Sequence, residues 1–138
     1  MPPSVSIALG HDLREIERLA GLVERFCADT HLPGDVAMNV NLVLDELVSN
    51  VIKYGEAKNG TRPIEVSLAL NGAVLTIEMV DDGIAFNPID VKAPDLDLPI
   101  TERPIGGLGI HIVKALTETI AYRRERERNH LRLTMRIA

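Results

Sequence analysis

Apolar and polar residues alternate in several segments of the chain, and this period of two predicts β-strands. The first strand is predicted at SVSIAL, residues 4–9. Two further alternating segments flank Asn71-Gly72, a dipeptide typical of two-residue turns, so residues 63–80 are predicted to form an antiparallel hairpin. A last alternating segment ends the chain and predicts a second hairpin, with Asn129 in the turn before its final strand.

Other segments repeat their apolar residues every three or four positions, which predicts amphipathic helices. The first helix begins near Asp12 and Glu15, whose spacing suits a capping box. The second helix runs from about Asp35 to Tyr54, and the third follows a group of glycines that begins at Gly106. The residues of the first two helices that are expected to face the core are Leu13, Ile16, Leu19 or Ala20, Val23, Phe26 or Cys27, then Val36, Val40, Leu44, Leu47 and Val51.

The predicted order of elements is β-α-α-β-β-loop-α-β-β. It indicates an α+β two-layer sandwich, with the helices on one face of a mixed, largely antiparallel sheet. The length of 138 residues suits one domain with a sizeable core, so residues 1–138 are expected to form a single domain. The proline-rich segment from Phe86 to Ile105 has no clear period, and so long a loop is typical of a functional or disordered segment.

Composition narrows the classes of function. A net charge of −5, an aromatic content of 3% and the lack of tryptophan argue against direct binding of nucleic acid. The single cysteine, Cys27, excludes an internal disulfide and a multi-cysteine metal site. No apolar run approaches the ~18 residues of a membrane span. The N-terminus also does not have the pattern of a signal peptide, so a cytoplasmic protein without membrane contact is expected.

The second predicted helix carries the first candidate site, LDELVSN, at residues 44–50. Glu46 and Asn50 are four residues apart, project from the same side and lie at the edge of the apolar stripe. A partly desolvated carboxylate and an amide suit a metal-bound oxyanion and its attacking group, and an amide oxygen is a hard ligand for Mg²⁺. The alternative is an ordinary surface pair on an amphipathic helix.

The second candidate site is Asp81, which ends a predicted strand. Asp and Gly favour turns, so a simple turn is one interpretation. The other is that the Asp81 carboxylate accepts a hydrogen bond from an exocyclic amine, while Gly83 lets a flat ring approach the backbone. In that case Asp82 is the turn residue.

The third candidate site is IGGLGI, residues 105–110, at the start of the third predicted helix. Backbone N–H groups at the start of a helix bind anions, and glycines allow a phosphate to come close. The spacing fits neither the P-loop nor the dinucleotide-binding fingerprint. A flexible hinge before the helix is therefore the alternative.

In this order the three motifs resemble those of the ATP-binding domain shared by histidine kinases and gyrase, the Bergerat or GHKL fold. DELVSNVIKYG resembles the N-box, DDGIAFNP the first glycine box and ERPIGGLGIHIVK the second. The resemblance covers nearly the whole chain. It is strongest to the stand-alone anti-sigma factor serine-protein kinases of the RsbW and SpoIIAB type.

This resemblance implies that the chain binds ATP or ADP together with Mg²⁺. It implies that Glu46 is the catalytic general base, that Asn50 is the Mg²⁺ ligand and that Asp81 holds the adenine amine. The other implied nucleotide contacts are Gly83 at the ring face, Thr134 in the adenine pocket, and Gly106, Gly107, Leu108, Gly109 and Ile110 at the phosphates. The ATP lid would span about residues 87–105.

The resemblance also implies a bacterial serine/threonine protein kinase that acts as a homodimer. Its partners would be an anti-sigma-factor antagonist of the STAS type, which it phosphorylates, and a sigma factor, which it holds inactive. Two residues depart from the family pattern: Tyr54 stands where the N-box often has histidine, and Ile105 where the second glycine box often begins with glycine.

Two other hypotheses stay open beside the kinase. One is a regulatory protein-binding module that uses nucleotide only as a conformational ligand, or not at all. The other is a fragment of a sensor kinase, which the predicted strand and helix before the N-box disfavour.

Overall fold

The computed structural model of the protein describes residues 2–54, 62–90 and 107–137. The described elements follow the predicted order. They are β1 (Ser4–Leu9), α1 (Glu15–Asp29), α2 (Gly34–Tyr54), β2 (Ile64–Asn71), β3 (Val74–Asp81), α3 (Gly107–Leu116), β4 (Thr119–Glu125) and β5 (Arg128–Arg136). A 3-10 turn at Pro88–Asp90 follows β3.

The five strands form one sheet in the order β1-β2-β3-β5-β4, and all the described pairings are antiparallel. The three helices cover one face of this sheet, which we call the inner face, and α2 lies between α1 and α3 and contacts both. The predicted two-layer α+β fold is therefore confirmed. None of the described helices is long and apolar enough to cross a membrane.

The core between helices and sheet is almost entirely aliphatic. Alternate residues of each central strand point inward, as the period of two predicts. The helix α2 contributes a wider stripe than expected, because Val43 and Val48 are also buried and Val51 is half-buried. Cys27 is a core residue, and burial raises the pKa of its thiol. The largest fully buried side chains are Leu9, Leu19, Leu44, Ile64, Leu68, Leu75, Ile77, Ile110 and Leu133.

The predicted capping box at the start of α1 does not form. The helix begins only at Glu15, and the Asp12 carboxylate accepts a hydrogen bond from the Arg14 backbone N–H (2.8 Å). The Glu15 carboxylate accepts from the Gly10 N–H (2.9 Å). The hydrogen bonds from Arg14 lower the pKa of the exposed Asp12 to about 2. Since Leu13 precedes the helix, it is exposed rather than part of the apolar stripe.

Both hairpin turns lie one or more residues away from the predicted places. Asn71 pairs with Val74, so the first turn consists of Gly72 and Ala73, with Gly72 at a φ of 60°. The second turn consists of Arg126 and Glu127, both with positive φ, and Asn129 lies within β5. Positive φ suits the twist of a tight hairpin, but Arg-Glu carries none of the usual signals for it.

We expect Leu133→Ala to lower the free energy of unfolding by about 2–5 kcal/mol, because it leaves a cavity in the centre of the core. Leu133 is fully buried on the inner face of β5. Leu42→Ala is the matched control, since Leu42 is 49% exposed, and it should change stability by less than about 0.5 kcal/mol. Urea denaturation measures both. Equal losses in the two variants would contradict this description of the core.

Candidate functional site

A cavity of about 190 Å³ lies between α2 and the inner face of β3, β5 and β4. Most of its wall is apolar, with a few polar side chains that converge on it, which is the usual character of a small-molecule site. The lining residues are Leu47, Asn50, Val51, Met79, Asp81, Ile84, Phe86, Pro88, Tyr122, Asn129 and Leu131.

A polar row crosses the sheet at the end of the cavity. Asp81 on β3 pairs with Asn129 on β5, and Asn129 pairs with Arg124 on β4. Directly paired residues lie on the same face of a sheet, so the three side chains stand side by side. Asp81 is only 3% exposed and Asn129 6% exposed.

The sequence left open whether Asp81 forms a turn or presents its carboxylate to a ligand, and in the structure its position suits both. Its Oδ1 accepts a hydrogen bond from the Gly83 backbone N–H at 3.0 Å, which closes a turn after β3. The same oxygen accepts from Asn129 Nδ2 at 3.0 Å. Within the described residues no hydrogen bond reaches Oδ2. Asp81 is therefore itself the turn-forming residue, and it also lines the cavity.

Asn129 is the centre of the network. Its Nδ2 donates to Asp81 Oδ1 and to the Ile84 carbonyl oxygen (2.8 Å). Its Oδ1 accepts from three donors, which are Tyr122 OH at 2.6 Å, Arg124 Nη1 at 3.1 Å and the Phe86 N–H at 3.4 Å. The loop after β3 is thereby tied to β4 and β5.

Asn50 lines the same cavity, and Glu46 on α2 is its hydrogen-bond partner. Asn50 Nδ2 donates to Glu46 Oε1 at 3.0 Å, and both side chains are half-buried, as their place beside the apolar stripe predicts. In this arrangement the Asn50 amide oxygen is not used by Glu46. Asn50 lines the cavity, whereas Glu46 lies one helical turn earlier.

The third motif contacts the first one through Gly109. The helix α3 begins at Gly107, and Gly109 packs directly against the Glu46 carboxyl group. A Cβ atom at position 109 would overlap that carboxyl, so only glycine allows this approach. The three motifs are thus connected: Asn50 and Asp81 line one cavity, Glu46 is hydrogen-bonded to Asn50, and Gly109 of α3 contacts Glu46.

A comparison with known protein families matches residues 10–135 to the histidine kinase-like ATPase domain. This match covers most of the chain. The chain belongs to the histidine kinase-like ATPase family.

Similar proteins agree with this family. The serine/threonine-protein kinase BtrW of Bordetella bronchiseptica is 23% identical over 95 residues, which are 69% of this chain and 67% of BtrW. A crystal structure of the RsbU and RsbW domains of a Mycobacterium tuberculosis protein superposes with a TM-score of 0.70 at 15% identity, over 98% of this chain and 32% of that one. These similarities confirm the resemblance to the RsbW type.

The fold is also found in a histidine kinase. The Acinetobacter baumannii histidine kinase AdeS superposes with a TM-score of 0.50 at 22% identity, over 73% of this chain. This chain spans 47% of AdeS and about a third of the M. tuberculosis structure. At these identities the two solved structures show the fold only.

Thr134, which the resemblance implied for the adenine pocket, does not line this cavity. Leu133 and Met135 are buried on the inner face, so Thr134 between them lies on the opposite face, away from the cavity. Its hydroxyl pairs with that of Thr119 there. The β5 residue that pairs with Asp81 is Asn129 instead.

Other predicted phosphate contacts are described only in part. Gly107 and Leu108 form the first residues of α3, and the Ile110 side chain is buried in the core. Gly106, Ile105 and residues 91–105 of the predicted lid lie outside the described residues. The described part of the predicted lid is its beginning, where Pro88 lines the cavity.

The sequence analysis missed three polar residues of this site: Tyr122, Arg124 and Asn129. Asn129 was assigned to a turn, Arg124 belongs to a run of charges that looks like a solvated strand face, and Tyr122 directly precedes that run. The alternation of buried and exposed residues in the last strand could have indicated Asn129. Counting back by twos from Leu131 places Asn129 on the buried face, which is unusual for a polar residue.

We expect Gly109→Ala to change the free energy of unfolding very little, because two effects oppose each other. Alanine is favoured over glycine within a helix by about 1 kcal/mol. The added methyl group must displace the Glu46 carboxyl and break its hydrogen bond with Asn50, at a cost of about 1 kcal/mol. Urea denaturation measures the balance.

Two comparisons make this test specific. Gly21 in α1 has no atom within 4 Å of an added Cβ, so Gly21→Ala should stabilise the protein by about 1 kcal/mol. Gly109→Ala should stabilise by a similar amount once Glu46 has been replaced by alanine. If Gly109→Ala has the same effect with and without the Glu46 side chain, the contact is refuted.

Proposed function

We propose that the protein is an ATP-dependent serine/threonine protein kinase that phosphorylates an anti-sigma-factor antagonist and thereby controls the availability of a sigma factor. The observation that carries the proposal is that Asp81 and Asn50 line one largely apolar cavity, with Glu46 hydrogen-bonded to Asn50. Similarity to BtrW, a serine/threonine-protein kinase, supports the same class of reaction.

The apolar part of the cavity suits an adenine ring. Met79 and Leu131 lie beside the polar row on neighbouring strands and offer flat aliphatic contact. In this proposal the Asp81 carboxylate accepts a hydrogen bond from the adenine amine through Oδ2. The Gly83 backbone, held by Asp81 and by Arg124 Nη1 (2.8 Å to the Gly83 carbonyl), lies at the ring face.

The donor set also fits Mg²⁺. The described residues contain no group of three or more His, Cys, Asp or Glu side chains that could hold a metal by themselves. Mg²⁺ commonly uses one or two protein ligands together with phosphates and waters. Asn50 would supply its amide oxygen, since its Nδ2 is engaged by Glu46. When bound, Mg²⁺ neutralises phosphate charge.

Glu46 is proposed as the general base. Its carboxylate accepts the proton of the substrate hydroxyl while the hydroxyl oxygen forms a bond to the γ-phosphorus and the bond to the leaving diphosphate breaks. Asn50 orients this carboxylate through the 3.0 Å hydrogen bond. Phosphates are proposed to lie at the start of α3, where Gly107, Leu108, Gly109 and Ile110 present backbone N–H groups and Gly106 precedes them.

The partners and the setting are proposed from the resemblance. They are a STAS-type antagonist as substrate and a sigma factor as the protein held inactive, with a homodimer as the working unit. Residues 1–138 would form one domain of a cytoplasmic bacterial protein, because ATP and sigma factors are found there.

Asn50→Ala tests the metal and nucleotide site through thermal stability. At about 100 times its Kd, a ligand adds about 2.7 kcal/mol of stability, which is a shift of several degrees for a domain of this size. We expect ADP to raise the Tm of the parent protein more with Mg²⁺ than without it, and this Mg²⁺ dependence to be lost in Asn50→Ala. Asn41→Ala is the control, because Asn41 lies on the side of α2 that faces α1.

Absence of any nucleotide-dependent shift in the parent protein would refute the kinase proposal. A Mg²⁺ dependence that survives in Asn50→Ala would instead refute only the role of that amide.

Glu46→Gln separates a kinase from a nucleotide-responsive binding module. Transfer of the γ-phosphoryl group from radiolabelled ATP to a STAS-type antagonist should fall by at least about 100-fold, because the proton acceptor is lost. Affinity for ADP should stay within a few-fold. Asp45→Asn, which removes a neighbouring exposed carboxylate, should keep the activity. Nucleotide-dependent partner binding without phosphorylation in the parent protein would favour the binding module.

A further inference from the structure

We propose that Asn129 is a positioning residue that holds the Asp81 carboxylate in the orientation needed to select a 6-aminopurine over a 6-oxopurine. This inference rests on the proposed nucleotide site and deepens it. The roles implied by the family resemblance did not include Asn129, Arg124 or Tyr122, and Thr134, the residue suggested for this strand, faces away from the cavity.

Asn129 has no hydrogen-bonding capacity to spare for a ligand. An amide side chain has two N–H donors and one oxygen acceptor. Both donors are used, one by Asp81 Oδ1 and one by the Ile84 carbonyl. The oxygen already accepts from Tyr122 OH at 2.6 Å and from Arg124 Nη1 at 3.1 Å. Asn129 therefore acts on a bound base through Asp81 and not by touching it.

The two donors on Asp81 Oδ1 determine what Asp81 presents to the cavity. Asn129 Nδ2 and the Gly83 N–H both bind this one oxygen at 3.0 Å, from two directions. The carboxylate cannot rotate without losing both bonds in a site that is almost fully shielded from water. Oδ2 is left as an acceptor, and an acceptor in the cavity wall favours a ligand that has a hydrogen-bond donor facing it.

This acceptor distinguishes two purines that differ at one position. Adenine carries an amine at position 6, which donates to Oδ2. Hypoxanthine carries an oxygen there, which also accepts, so that two acceptors would face each other in a poorly hydrated site. A carboxylate that could rotate would lose both the hydrogen bond with the adenine amine and the repulsion of the hypoxanthine oxygen. The discrimination between these bases hence depends on how firmly Asp81 is held.

The surroundings of Asn129 explain why the row is rigid. Arg124 Nη1 bridges Asn129 Oδ1 and the Gly83 carbonyl. The Phe86 N–H also donates to Asn129 Oδ1. The loop that follows Asp81 is bound at three backbone groups by two side chains from β4 and β5, and cavity-lining Ile84 and Phe86 belong to this loop.

The experiment compares the affinities of ADP and IDP by calorimetry on the full chain with Mg²⁺. The ratio of the two Kd values is the readout, because a merely structural defect would weaken both nucleotides alike. We expect the parent protein to favour ADP by at least about tenfold. The ratio should fall towards 1 in Asn129→Ala. It should also fall in Asn129→Asp, where the shape is kept but a second carboxylate replaces the donor to Asp81.

Three further variants make the outcome decisive. Tyr122→Phe keeps the ring in the cavity wall and removes one bond to Asn129, so it should reduce the ratio by a few-fold even if the Asn129 variants do not fold. Asn129→Ala added to Asp81→Asn should change the ratio no further than Asp81→Asn alone. Thr134→Ala, on the outer face, should leave the ratio unchanged.

The failures of the two proposals are distinguishable. If the parent protein selects ADP but the ratio is kept in Asn129→Ala and in Tyr122→Phe, the inference is overturned while the nucleotide site stands. If the parent protein binds neither nucleotide, both are overturned. If it binds ADP and IDP equally, the role of Asp81 and Asn129 in base selection is refuted, although nucleotide binding is retained.

Discussion

The register between β3 and β5 is the constraint on which the rest of the site depends. It places Asp81 opposite Asn129 at the end of two buried strands. Two and four residues further along from the Met79–Leu131 pair, the pairs Ile77–Leu133 and Leu75–Met135 are apolar and point into the core. A slip of one residue would expose that whole apolar set. The hydrophobic core thus fixes the position of a polar row that contributes little to it.

The helix α2 contributes residues both to the core and to the site, and its helical repeat places the two groups on adjacent sides of the helix. Val40, Leu44 and Leu47 are buried in the core, while Glu46 and Asn50 follow the edge of that stripe, and Asn50 lines the cavity. Because Glu46 and Asn50 lie on the same helical turns as buried core residues, the packing of the core also fixes the position of this polar pair. Gly109 then allows α3 to close against Glu46 without a side chain between them.

Much of the fold followed from periodicity, since strands and helices with one buried face repeat their apolar residues in step with the backbone. The Glu46–Asn50 pair and Asp81 could be recognised because local spacing sets their direction. The exact turns could not: Arg126 and Glu127 adopt positive φ only because the paired strands require it. This local error placed Asn129 in a turn instead of on the buried face of β5. The capping box predicted at α1 failed for a similar reason. Asp12 accepts a hydrogen bond from Arg14 and Glu15 accepts one from Gly10, and residue spacing alone does not decide between such competing local hydrogen bonds.

The scarcity of aromatic residues has a spectroscopic consequence. The chain has no tryptophan and two tyrosines, one of which, Tyr122, forms part of the cavity wall. Its phenol is hydrogen-bonded to a buried amide, so its ultraviolet emission reflects the state of that wall. No indole is present to absorb this emission or to mask it. A molecule that enters the cavity therefore alters an intrinsic optical signal of the protein, and its arrival can be followed in time without any attached dye.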